Sequence, residues 1–177
     1  MKTKMQDAII YIGELNGTPL GDFRLAASDL GLVAIEWADA QPEFDSRLAR
    51  LKHPLQTNQK KIAPYAKELR EYLNGKRSAF TIPIDWTFFT PFQREALQAV
   101  FRIPYGETRT YQQVASSIGQ PTATRAVARA CATNPVALLI PCHRVVRTDG
   151  STGGYRWGVD RKQRLLKQEK ERAHVIA

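Results

Sequence analysis

A chain of 177 residues that is 43% hydrophobic and 24% charged can bury a core as one large domain or two small ones, which excludes a disordered protein and a scaffold dependent on disulfide or metal staples. Its formal charge of +9 and isoelectric point near 9.8 attract polyanions, nucleic acid before anionic membrane. Two cysteines, Cys131 and Cys142, lack CxxC spacing, and His53, His143 and His174 lack the spacing of a zinc site. Reduced thiols, a cytoplasmic setting and no metal are therefore expected. No apolar run approaches the ~20 residues that span a bilayer. Lys2, Lys4 and Asp7 precede only a short apolar run, so no signal peptide is expected.

In chain order, Ala8 to Ile12, Gly21 to Ala27 and Gly31 to Trp37 are short apolar runs parted by Asn16-Gly17-Thr18-Pro19 and Ser28-Asp29-Leu30-Gly31. They predict a small antiparallel meander. Asp45 to Leu55 and Ala63 to Leu73 are helix-like, the second stopped by Asn74-Gly75. Phe80 to Ile84 is expected as a returning edge strand. Glu36, Asp39 and Glu43 are expected as solvated charges, since scattered carboxylates seldom lie buried.

Trp86 to Pro91 marks a boundary, followed by a helix from Phe92 to Phe101 with Leu97, Val100 and Phe101 inward. Thr110 to Gly119 then predicts a short helix, Gln120-Pro121 a turn, and Ala123 to about Thr133 a second helix. This is helix-turn-helix spacing, with Ala115 and Gly119 small where the helices cross. On the second helix Ala126 and Ala130 stand one turn apart, as do Arg125 and Arg129, giving a smooth face beside cations. Such a face suits DNA, the arginines bonding phosphate or replacing a base in the stack. Packed alanines with both arginines in water is the plainer alternative. Asn134-Pro135 ends the helix, and the Asn134 amide can brace the loop that follows.

That loop carries Val136 to Ile140 and then Pro141-Cys142-His143-Arg144-Val145. A thiol beside an imidazole is nucleophile chemistry, because a histidine in a dry pocket can take the thiol proton. Adjacent side chains diverge, so a bridging water is expected between Cys142 and His143. The dipeptide alone favours a small buried cysteine and a surface histidine. The surroundings reverse that.

Together with Tyr111-Gln112-Gln113-Val114-Ala115, Arg125-Ala126-Val127, Asn134-Pro135 and Gly154-Tyr155-Arg156-Trp157-Gly158, the pentapeptide at Cys142 closely resembles the O6-alkylguanine-DNA alkyltransferases. The specific motifs cover Thr90 to about Glu171; the first half resembles the family by length and strand pattern. The resemblance implies an α+β chain, with a ribonuclease-H-like α/β domain over residues 1–87 and a mostly helical domain with a helix-turn-helix over residues 88–177. It also implies binding to duplex DNA through the minor groove, extrusion of the damaged nucleotide, and irreversible transfer of its alkyl group to the protein. The lesion would be O6-alkylguanine, chiefly methylated, with O4-alkylthymine as a further candidate substrate.

By position Cys142 is the implied acceptor, His143 its water-mediated base, and Tyr111 the phenol that bonds the purine. Arg125 would fill the vacated stack, with Thr124, Ala126 and Arg129 also facing DNA. Val145, Tyr155, Arg156 and Trp157 would shape the pocket, the carbonyls of Cys142 and Val145 and the amide of Arg156 meeting the guanine. A glutamate on the last helix would orient His143, and Glu169 shares the inward face of Leu165 and Leu166 whereas Glu171 does not. A buried Glu169 would stabilise the imidazolium and so the thiolate. The thioether product has no good leaving group, so the protein is consumed stoichiometrically and needs no cofactor. Trp157 stands where many relatives carry glycine, and an indole at the rim implies methyl over benzyl adducts. No four-cysteine domain precedes the strands, so an alkylation-triggered activator is not expected. A cysteine hydrolase and a non-catalytic helix-turn-helix regulator are the rival readings.

Overall fold

The computed structural model describes residues 8–176, so the reading of Met1 to Asp7 lies outside the described residues. The chain divides into two compact units, Met1–Phe88 and Phe89–Ala177. No helix among the described residues is long and apolar enough to cross a membrane.

In the first unit β1 (Ile10–Thr18), β2 (Gly21–Ser28) and β3 (Gly31–Trp37) form the expected meander. The sheet is mixed rather than wholly antiparallel, because β4 (Leu55–Thr57) pairs parallel to β1 and completes the order β3-β2-β1-β4. Leu55 was expected inside a helix, but α1 runs Gln41–Leu51 and closes at Lys52, whose φ of 56° is left-handed. Pro54 then bars any continuation. Asn58 opens α2 (Gln59–Leu73) earlier than expected, its side chain accepting from Lys61 N at 3.2 Å, and the helix absorbs Pro64.

Ile10, Ala26, Val33, Ala34, Phe44 and Leu48 form one buried cluster with Ile12, packing α1 on the sheet. Strand alternation turns Gly13 to the other face, where a Cβ would lie 2.9 Å from Ile62 of α2. One helix therefore covers each face. Glu36, expected in solvent, is 1% exposed; it stands opposite Arg24 in the β2–β3 register, where cross-strand opposite charges stabilise each other.

The edge strand expected over Phe80 to Ile84 reduces to a single bridge, Ile84 parallel to Leu32. Pro83 has no amide to donate, and the segment is held instead by Leu32 N to Pro83 O at 2.9 Å and Asp85 N to Leu32 O at 3.0 Å. Gly31 permits this approach: its φ is 146°, and a Cβ there would stand 2.7 Å from the Pro83 oxygen. Gly31→Ala should cost about 2 kcal/mol of stability, read as a lower urea midpoint of the first transition to unfold. An unchanged midpoint would show that the Pro83 backbone yields.

The second unit is helical, with α3 (Pro91–Phe101), α4 (Tyr111–Ser117), α5 (Thr124–Ala132) and α6 (Val159–Ile176). Thr90 caps α3, with Pro91 at its first position. Leu97 and Val100 point inward, but Phe101 is 43% exposed; buried Ala96 and Ala99 rotate the apolar stripe away from it. Thr110 and Gln113 make a reciprocal capping box that starts α4 at Tyr111. Ala115 is fully buried, as expected where helices cross. Gly119 is not a packing residue: its φ is 70° and a Cβ would meet nothing within 4 Å, so it serves the left-handed stop of α4. Strands β5 (Arg109–Thr110) and β6 (Val145–Val146) pair in parallel, Thr110 opposite Val146. That pair sets the first residue of α4 beside the Cys142 turn.

Candidate active site and DNA-facing helix

Cys142 opens one 3-10 turn, Cys142–Arg144, and lies at a cavity of about 410 Å³. Tyr111, Cys131, Tyr155, Arg156 and Arg147 share its lining, with Ala128 and Ala132 supplying the α5 wall. Arginine and tyrosine lie within an otherwise apolar cleft, the usual make-up of a small-molecule pocket.

Asn134 is fully buried and does more than brace a loop. Its Nδ2 donates to the Ile140 carbonyl at 3.0 Å and to Cys142 Sγ at 3.3 Å, while Oδ1 accepts from Val136 N at 2.9 Å. The segment between folds back on itself, with Leu139 N to Ala137 O at 2.9 Å, Ile140 N to Val136 O at 3.0 Å, and Leu138 at a φ of 72°. A non-glycine residue at positive φ persists only where its surroundings enforce it; the Asn134 amide ties both ends. Asn134→Ala should cost about 1–3 kcal/mol for each polar group stranded and slow any reaction at the sulfur, measured by urea unfolding and by thiol alkylation rate. Full retention of both would remove Asn134 from the site.

Burial pushes the Cys142 thiol up; the Asn134 donor bond, Lys162 and Arg156 oppose it. His143 turns the other way, Nε2 lying 2.9 Å from Glu169 Oε1. Burial lowers its pKa, against the pull of Glu169. Glu169, on α6, is 1% exposed. Burial alone would raise its carboxyl, but His143 and Arg144 outweigh that and hold it well below the usual range. Arg144 grips it with two bonds, Nε to Oε2 at 2.8 Å and Nη2 to Oε1 at 2.9 Å, and donates Nη1 to the Ile103 carbonyl at 2.6 Å. We read this set as neutral imidazole, ionised Glu169 and charged Arg144, the bidentate fork being the strongest of these contacts.

Tyr111 faces the cavity with its phenol pushed up to about 12, by burial first and then by the two cysteines. It is therefore a proton-bearing donor at neutral pH. Tyr155 also lines the wall, and Trp157 stands behind it, 6% exposed, edge-on to the Tyr155 ring at 5.0 Å and beneath the Arg156 guanidinium at 4.2 Å. Trp157, expected at the rim, backs the rim residues instead. The Val145 side chain is likewise buried and takes no part in the lining, and its carbonyl accepts from Lys162 Nζ at 2.6 Å.

On α5, Arg125, Ala126 and Arg129 are exposed and Thr124 half-buried, its hydroxyl 3.3 Å from Gln112 Oε1 across the helix turn. Ala130 is buried, so Ala126 and Ala130 do not share an open face as the one-turn spacing suggested. The small residues turned to the cavity are Ala128 and Ala132. The second unit holds 14 of the 26 Lys and Arg against 6 of the 17 Asp and Glu, a net +8 of the +9.

The family profile described as 6-O-methylguanine DNA methyltransferase, DNA binding domain, matches residues 91–171, and its partner, the ribonuclease-like domain, matches residues 12–86. An inducible methylated-DNA–protein-cysteine methyltransferase of Bacillus subtilis is 40% identical over 152 residues, covering 84% of each chain. This chain belongs to the O6-methylguanine DNA methyltransferase family. The bifunctional transcriptional activator and DNA repair enzyme Ada of Escherichia coli is 44% identical over 155 residues, 86% of this methyltransferase-family chain but 43% of Ada. The chain thus spans less than half the length of Ada. Among solved structures, Mycobacterium tuberculosis OGT in complex with DNA matches with a TM-score of 0.76 and 31% identity over 93% of this chain and 94% of that one.

Of the residues this methyltransferase-family sequence pointed to, the fold brings Cys142, Tyr111, Tyr155 and Arg156 to one cavity, sets the Asn134 amide on the Cys142 sulfur and locks His143 on Glu169. Two participants were missed. Arg144 lies in the quoted pentapeptide, and only its burial shows that it anchors Glu169. Lys162 is fully buried in a helix rich in solvated Lys and Arg, where the sequence alone does not set it apart.

Proposed function

We propose that this protein repairs DNA by direct reversal, moving the alkyl group of O6-alkylguanine, chiefly methyl, from duplex DNA to its own Cys142. The observation that carries this is the buried sulfur held by the Asn134 amide at a cavity, on the same turn as a histidine locked to an ionised glutamate. O4-alkylthymine falls within the same chemistry.

The second unit, with its net +8, meets the minor groove through Thr124, Arg125, Ala126 and Arg129. Arg125 fills the stack as the nucleotide leaves it, offsetting the few kcal/mol that extrusion costs. The resting thiol is protonated because burial raises it. Its proton passes through a water to His143 Nδ1, and Glu169 stabilises the imidazolium. The sulfur attacks the alkyl carbon, an S–C bond forms and the C–O bond to guanine breaks; Tyr111 donates a hydrogen bond to the departing purine, which takes up, through water, the proton held on His143. The amide of Arg156 and the carbonyls of Cys142 and Val145 orient the base. One lone pair of the Val145 carbonyl already serves Lys162, leaving the other for the exocyclic amine. We place the reaction in the cytoplasm, where both cysteines, free here, stay reduced.

Incubation with a duplex containing O6-methylguanine, followed by intact mass spectrometry and peptide mapping, should show one methyl per molecule, on Cys142. Repeated turnover would point to a hydrolase, and an unmodified sulfur to a DNA-binding regulator. Because Trp157 stiffens the Tyr155 and Arg156 wall, a benzylated guanine should react at least about tenfold more slowly than a methylated one. Equal rates would show that the wall yields.

A further inference from the structure

Arg147 is a cation of the cavity wall that the chemistry above leaves without a task. It lines the cavity beside Tyr111 and Cys142 yet is exposed, which puts its charge at the mouth. The cations acting on the sulfur are Lys162 and Arg156, whereas the field of Arg147 reaches the Tyr111 phenol. Its backbone is fixed by a closed turn, Arg147 N to Ser151 O at 3.0 Å and Gly150 N to Arg147 O at 3.0 Å. Its stem lies against Gly153, where a Cβ would stand 3.3 Å from Arg147 Cγ. Asp149 is the acid of that turn, and its carboxylate is taken first by Ser151.

A methyl adduct and a guanine ring are both neutral, so neither calls for a guanidinium at the entrance. The anion that travels with an extruded nucleotide is its own phosphate. Resting on the repair reading above, we propose that Arg147 binds a backbone phosphate flanking the extruded nucleotide and so holds it at the cavity mouth beside Tyr111. Arg147 is thereby a DNA contact on the loop after the acceptor turn, separate from α5.

The test compares two methyl donors, O6-methylguanine within a duplex and the free O6-methylguanine base, which has no phosphate. The full chain, Arg147→Ala and Arg147→Lys are each followed by the rate of Cys142 methylation, and binding to the duplex is titrated against salt. Loss of one charge-assisted phosphate contact should lower the duplex rate of Arg147→Ala about tenfold more than its free-base rate. It should also flatten the plot of log affinity against log salt by about 0.9. Arg147→Lys should recover most of both, since a phosphate asks mainly for the charge. Equal losses on both donors, an unchanged salt slope, or a lysine variant no better than alanine would each overturn the assignment. Failure of the unaltered protein to be methylated by either donor would sink the repair reading itself.

Discussion

Cys142→Ser is expected to leave the protein wholly unmethylated after exposure to lesion-bearing duplex while it still binds that duplex. A hydroxyl is a far weaker acid than a thiol, and the alkoxide needed for attack is out of reach of a neutral imidazole. The fold should survive, because serine is no larger than cysteine and its oxygen can accept the Asn134 Nδ2 donor now given to Sγ. Exposed Arg125 and Arg129 on α5 are untouched, so a gel-shift titration should match the parent protein. Loss of O6-methylguanine from the duplex in the presence of the serine variant would place the acceptor elsewhere.

The second large effect is on stability. Glu169→Ala removes the carboxylate that binds both the Arg144 fork and His143, leaving a buried guanidinium uncompensated. Breaking one partner of a buried pair costs about 3–5 kcal/mol, so the second unit should unfold at much lower urea. Glu169→Gln keeps the shape and loses the charge, separating packing from electrostatics. The pH dependence has a definite sign. Glu169 is held below its ordinary 4.5, so its contribution is complete above that value and is lost as the pH falls below it. His143 is lowered from 6.5 by burial; below that pH the unfolded chain takes a proton that the folded one refuses, again favouring unfolding in acid. Stability should therefore decline from about pH 6.5 downward, and Glu169→Gln should show a shallower decline below pH 4.5. A parallel decline in both proteins would mean that Glu169 does not carry the acid limb.

What the sequence disclosed depended on how local the signal was. Thr110 with Gln113, and Gly119 seven residues past Gln112, bound α4 by short-range capping and turn chemistry, and α4 and α5 formed close to the expected limits. Short runs with competing signals were misread. Leu55 lies in a strand because Lys52 and Pro54 end the helix before it, and Phe80 to Ile84 make one bridge because Pro83 interrupts the ladder. At the site, the resemblance called for a glutamate on the last helix, and counting from Leu165 and Leu166 chose Glu169 over Glu171. Lys162 and Arg144 are charged residues whose burial is decided by tertiary packing, and no local pattern announces it. The pairing of Ala126 with Ala130 failed for the same reason: helical spacing places residues on one side without saying which side faces solvent.

Cys131 gives the molecule an internal control. It borders the same cavity as Cys142, and its thiol is raised, by burial first and then by nearness to Cys142. The two sulfurs thus border one cavity from neighbouring positions, and the histidine turn belongs to Cys142 alone. The ratio of label on Cys142 to label on Cys131 therefore measures how much reactivity comes from activation rather than from mere closeness to the alkyl group.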